Sequence, residues 1–166
     1  EGKKTRRKRS QKNTSFAVRE EDLLDVTDDD ETSELQPVAE HALKELLDYL
    51  KKNEVDNVLF IRLPHNVTKQ AYGNFRRGNR VGEIIKEYGF AFINMQKEWD
   101  EIGLDWKQDF YNSDHMNVYG QEKFTDYFGK FLTEHYALNG LTHSDETVER
   151  WDKAAEETTE FQRICV

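Results

Sequence analysis

The residues best suited to chemistry lie in one run, Phe110-Tyr111-Asn112-Ser113-Asp114-His115-Met116-Asn117-Val118-Tyr119-Gly120. The run holds one histidine, His115, and histidine is the side chain suited to moving protons near neutral pH. A loop histidine acts as a general base when a nucleophile lies within hydrogen-bond reach and a carboxylate orients its other ring nitrogen. A side chain three residues before the histidine can meet it across a tight turn, and that position is Asn112. Asp114 is adjacent to His115, and the side chains of sequence neighbours usually diverge. A plainer reading makes His115 a loop histidine bonding backbone at a helix start, with Asp114 favouring the positive end of that helix. No metal centre is expected, because Asp114, His115 and His135 are the potential ligands nearby and no Cys or His-x-x-x-His spacing supports them. No cofactor is expected either: Gly73-Asn74-Phe75 and Gly78-Asn79-Arg80 lack both the spacing and the preceding strand of a phosphate loop.

The elements that must position this run are readable from periodicity. Leu35, Val38, Leu43, Leu46, Leu47 and Leu50 form one helical stripe, with Pro37 suited to the first turn. Residues 55–63, centred on Val58-Leu59-Phe60-Ile61, read as a strand buried on both faces. Pro64-His65-Asn66 closes it at the carboxyl end, where open α/β sheets place ligands. His65 is therefore a site residue or an ordinary loop histidine, and the sequence leaves both open. A second helix is expected from about residue 69 or 72 to 88, ended by Gly89, and a second strand over residues 90–94. Helix, strand, helix, strand in this order predicts a right-handed parallel unit. Residues 95–108 should be irregular or briefly helical, with Trp99 and Trp106 covering the sheet edge. The run from Phe110 then falls on a loop at a strand's carboxyl end. Asn117 is a good N-cap for a following helix whose stripe of Phe124, Tyr127, Phe128 and Phe131 reads as core.

Charge divides the 166 residues into blocks. Residues 1–19 carry +7, residues 20–36 carry −9 with no Lys or Arg, and the remainder carries −7, which closes on the total of −9. Residues 1–34 thus have the composition of a flexible charged arm. Their basic run, residues 3–9, is either a patch for an anionic surface or a solvated stretch folding back on the acidic block; the absence of interleaved aromatics favours the second. The acidic remainder argues against nucleic acid as a partner. Residues 35–138 are the expected α/β domain and residues 139–166 a polar tail with Trp151 and Phe161 as its large apolar anchors. Cys165 has no pair, so the redox compartment is not readable. No apolar run reaches the length of a membrane span, and no secretion signal is present in these residues.

Several stretches together resemble a known family. They are residues 110–131, Leu46-Leu47-Asp48-Tyr49-Leu50, residues 57–64, Glu87-Tyr88-Gly89-Phe90 and Trp99-Asp100-Glu101-Ile102-Gly103-Leu104. The combination looks like the carboxyl-terminal half of SGNH-type hydrolases. It is most similar to the bacterial D-alanyl transfer protein of teichoic-acid modification and to alginate O-acetylation proteins, and it covers roughly residues 38–152. The resemblance implies a flavodoxin-like three-layer sandwich and a Ser-His-Asp triad whose histidine matches His115. The matching acid position is Asn112, and Asp114 is the alternative partner. An Asp-to-Asn change at the triad acid of serine proteases lowers turnover by about 10⁴. Ser10, Ser15 and Ser33 precede the fold, but none follows an apolar strand, and no oxyanion-hole segment is found. The expected function is an esterase or O-acyltransferase domain that lacks its serine half in this chain, acting on an acylated cell-envelope glycopolymer or small ester, with an extracytoplasmic location. A separate amino-terminal half or partner chain would supply the serine. The alternative is an inactive binding or assembly module of the same fold.

Overall fold

The computed structural model describes residues 18–136, 138 and 142–165. The basic run of residues 3–9, with Ser10 and Ser15, lies outside them. The chain forms two compact units, one ending at Gly120 and one beginning at Gln121.

The first unit is mixed α/β. Helix α1 (Pro37–Lys52), strand β1 (Leu59–Arg62), helix α2 (Tyr72–Glu87) and strand β2 (Ala91–Asn94) follow in the expected order. The two strands pair in parallel, in register from Leu59↔Ala91 to Arg62↔Asn94. Pro37 opens α1, where its missing N–H is no loss. Gly89, at φ 83°, ends α2 in a left-handed conformation that costs glycine little. A 3₁₀ turn (Met95–Glu98) and the single-turn helix α3 (Trp99–Ile102) follow β2.

Alternation along the strands decides which face is covered. Phe60 and Phe92 are paired across the sheet and pack on a cluster built from Leu47 of α1 and Ile84 and Ile85 of α2. A Cβ on Gly82 would collide with the Phe92 ring. Gly82, one of the glycines that weaken α2 as a helix, therefore lets it lie close on β2. The opposite face of the sheet is not covered in the same way: Ile61 is 36% exposed, Leu63 52%, and Ala91 is exposed as well. The expectation of a strand buried on both faces is thus corrected. Its apolar run is continuous, but α1 and α2 share one cluster on the Phe60 and Phe92 side.

The expectation of a flexible arm is corrected for residues 18–34, which lie against the unit as a strap. Leu24 N–H donates to the Val67 carbonyl at 2.9 Å and Lys69 N–H to the Asp22 carbonyl at 2.8 Å, on either side of an antiparallel bridge between Leu23 and Thr68. Val26 is buried with Val67 and Phe75, and Leu24 and Tyr72 pack around them. Farther along, Arg76 contacts Asp29 at 3.3 Å and Glu31 at 2.7 Å, Asn79 Nδ2 donates to both their carbonyls, and Lys97 meets Asp30 at 2.6 Å. The acidic block has basic partners on α2 and after β2, and two apolar residues in it suffice to seal the contact.

In the second unit, helix α4 (Val118–His135), which starts before the unit boundary, carries the aromatic stripe. Phe124, Tyr127, Phe128 and Phe131 are half-buried. The rings stack along their own helix, Phe124 on Phe128 at 5.6 Å and Phe131 on His135 at 4.2 Å. The polar tail contains helix α5 (Asp145–Cys165). Ser144 accepts from Thr147 N–H at 3.3 Å, Asp145 and Glu146 occupy the first turn, and neither Gly nor Pro interrupts the helix. Trp151, expected to anchor the tail, is 58% exposed and meets His143 edge-on at 4.5 Å. The Phe161 side chain lies outside the described set.

Candidate functional site

Residues 110–116 form a loop closed by an antiparallel bridge between Phe110 and Met116. No regular strand precedes it. It reaches the carboxyl end of β1 sideways instead: Asn66 N–H donates to the Ser113 carbonyl at 2.8 Å, tying the loop to Pro64-His65-Asn66. Trp99 stacks on Phe110 at 5.4 Å with the rings 2° from parallel, which holds the loop's first residue. Its last turn is held by Asn117, whose N–H donates to the Asp109 carbonyl at 2.9 Å and whose Oδ1 caps α4 by accepting from Tyr119 and Gly120 N–H.

Within the loop one atom organises the rest. Asn112 Oδ1 accepts from Asp114 N–H at 2.8 Å and from His115 N–H at 2.9 Å, and it lies 3.0 Å from His115 Nδ1. The two backbone donors fix which end of the carboxamide faces the ring. An oxygen there requires the ring nitrogen to donate, so Nδ1 carries a proton, and in the neutral ring Nε2 holds the lone pair. Nε2 is then the proton-accepting atom, as a general base requires. His115 is exposed, so this atom is accessible.

The structure brings His115 together with Asn112 and not with Asp114. The Asp114 carboxylate accepts from the Ser113 hydroxyl at 3.1 Å. Its charge falls instead on His65, which it pulls upward in pKa. That pull is outweighed: burial first, then the neighbouring Arg62 guanidinium, hold the His65 imidazole below its ordinary range. Arg62 is itself pushed down to about 10 by burial, and its guanidinium lies 4.0 Å over the Phe75 ring. It therefore stays cationic at neutral pH and adds to the burial that disfavours a charge on His65. Ser113 is the loop's own hydroxyl, and it donates to Asp114 rather than to a histidine. Ser33 N–H donates to the Arg76 carbonyl, in the strap.

On the other side of His65 lies a cavity of about 290 Å³. Trp99, Trp106, Asn66, Gln96 and strap residues 23–27 line it. Trp99 and Trp106 thus help to wall a cavity. Asn66 and Gln96 were not singled out from sequence, although one signal was available. Ligands gather beyond the carboxyl ends of parallel strands, and Gln96 stands just past β2 as His65 does past β1. Gln96 Oε1 joins the two loops by accepting from His65 N–H at 3.0 Å.

No protein-family model matches the chain, and neither a curated protein nor a solved structure is significantly similar to it.

Proposed function

We propose that this chain contributes the histidine corner of an ester-cleaving or acyl-transferring site of the SGNH type, on what would be part of a flavodoxin-like three-layer fold. The observation that carries the reading is the Asn112–His115 pair at 3.0 Å, beside the carboxyl end of a parallel strand. Asn112 does the orienting half of a triad acid's work. In a serine protease the Asp-to-Asn change also favours the wrong tautomer; here the two backbone donors on Oδ1 prevent that, and only the charge opposite the imidazolium is missing. The substrate class is an acyl ester, on a glycopolymer or a small molecule, and the serine comes from outside the described residues. His115 Nε2 would take the serine hydroxyl's proton as the ester carbonyl is attacked, then return it to the leaving alkoxide.

The test uses the longest protein that contains this chain, assayed with p-nitrophenyl acetate and a serine-directed fluorophosphonate. His115→Ala should lower kcat/KM by about 10³ or more. Asn112→Asp should raise it about tenfold by stabilising the imidazolium. Unchanged turnover in His115→Ala would overturn the reading. A second reading, a non-catalytic binding module of the same fold, is favoured by the uncharged Asn112 and the cavity beside His65. It requires that neither fluorophosphonate labelling nor hydrolysis appear, even in Asn112→Asp.

A further inference from the structure

The cavity beside His65 supports an inference that does not depend on ester chemistry at His115. Its inner surface includes two carboxamides, Asn66 and Gln96, each only 4% exposed. Gln96 uses Oε1 on the His65 N–H, which leaves its amide N–H groups without an acceptor among the described residues. The Asn66 side chain has no hydrogen-bond partner among them at all. No described polar side-chain atom is both shut off from solvent and unsatisfied, so these amide groups are reached through the cavity they line. They present donors and an acceptor to whatever occupies it.

The rest of the lining states the charge of that occupant. Glu20, Asp25 and Asp100 stand around the cavity, and neither Lys nor Arg is among its described lining residues. His65 adds no charge while neutral. Trp99 and Trp106 supply indole faces, and Trp99 is backed by the Phe110 ring. Carboxylates and indoles together favour a cation and disfavour carboxylate or phosphate. The protein already displays the same pairing with its own ammonium: Lys107 Nζ lies 4.6 Å over the Trp106 ring and 3.2 Å from the Glu20 carboxylate.

We propose that this cavity binds a small organic cation, an alkylammonium that also carries a hydrogen-bonding group. The ammonium lies against the indoles among Glu20, Asp25 and Asp100, and the polar group meets Asn66 and Gln96. Its size, about 290 Å³, is near the lower end of small-molecule sites. Lys107 competes for the Trp106 face.

Choline is the probe, titrated into the full chain and followed by tryptophan fluorescence and calorimetry. Its neutral isostere 3,3-dimethylbutan-1-ol and glucose are the controls. Choline should saturate the site, and the neutral alcohol should bind about tenfold more weakly. Lys107→Met should tighten choline binding severalfold by removing the competing ammonium. Asp25→Asn combined with Asp100→Asn should weaken it about tenfold while circular dichroism and the melting temperature stay unchanged. No saturable choline binding at about 10 mM in both wild type and Lys107→Met would overturn the proposal. So would equal affinity for the neutral alcohol, tighter binding of glucose than of choline, or choline affinity unchanged in the lysine and the double aspartate variants alike.

Discussion

Two histidines close in space have opposite surroundings. His115 is exposed and held by a single carboxamide oxygen, whereas His65 is half-buried between the cavity and Arg62. The difference has a measurable sign. A base whose pKa falls on folding binds fewer protons folded than unfolded, so His65 detracts nothing from stability above its unfolded value of 6.5. Stability should fall as pH drops through that value toward the lower folded pKa, and level off below it. Urea midpoints taken between about pH 8 and pH 5 should therefore decline, and the decline should be smaller in His65→Gln. Parallel profiles for the two proteins would exclude His65 as the cause. At this scale the sequence was partly legible. The spacing of Asn112 and His115 showed that they could meet, because a three-residue turn is local. The open amide N–H groups of Asn66 and Gln96 were not legible, because their surroundings come from three separate segments.

The elements show the same division between local and non-local causes. The Asn117 cap, the Gly89 terminus and the parallel order of β1 and β2 follow from signals within a few residues, and the structure has all of them. The uncovered face of the sheet and the half-buried stripe on α4 depend on what else packs nearby, which periodicity does not state. One close contact sets where α4 begins. Gly120 sits so near Asp109 that a Cβ there would collide with the Asp109 carbonyl, the same oxygen that accepts from Asn117 N–H. Gly120→Ala should destabilise the first unit by about 2 kcal/mol, since backbone rather than a flexible side chain must move. Chemical denaturation of the purified variant measures this, and a loss indistinguishable from zero would show that the backbone at Asp109 and Gly120 can move apart without cost. The variant should also disturb the His115 loop, which ends one residue before Asn117.

For the chain as a whole, the charge blocks turn out to describe attachment as well as solvation. The acidic stretch reads as a free arm by composition, but Val26 and Leu24 join it to Val67 and Phe75, and Arg76 holds Asp29 and Glu31. Asp29 is held below the usual carboxylate range: burial raises it, but hydrogen bonds from Tyr72, the Glu31 backbone and Arg76 together outweigh that. Its contribution is present above the ordinary aspartate pKa and is lost as pH falls through the depressed one. Deleting residues 1–34 should lower the stability of the remainder by about 3 kcal/mol or more, because it uncovers Val67 and Phe75 and removes the hydrogen bond to the Val67 carbonyl. A truncated protein as stable as the parent would return these residues to the status of an arm.

The strap is also one wall of the cavity, so the cavity exists only while the strap is closed. Its amides therefore keep time for the site. The Leu24 and Lys69 N–H groups, bonded across the strap's edge at 2.9 and 2.8 Å, exchange with solvent only when that edge opens. Whatever fills the cavity favours the closed form by RT ln(1 + [L]/Kd). Slowed deuterium uptake at those two positions would register occupancy without any knowledge of the occupant.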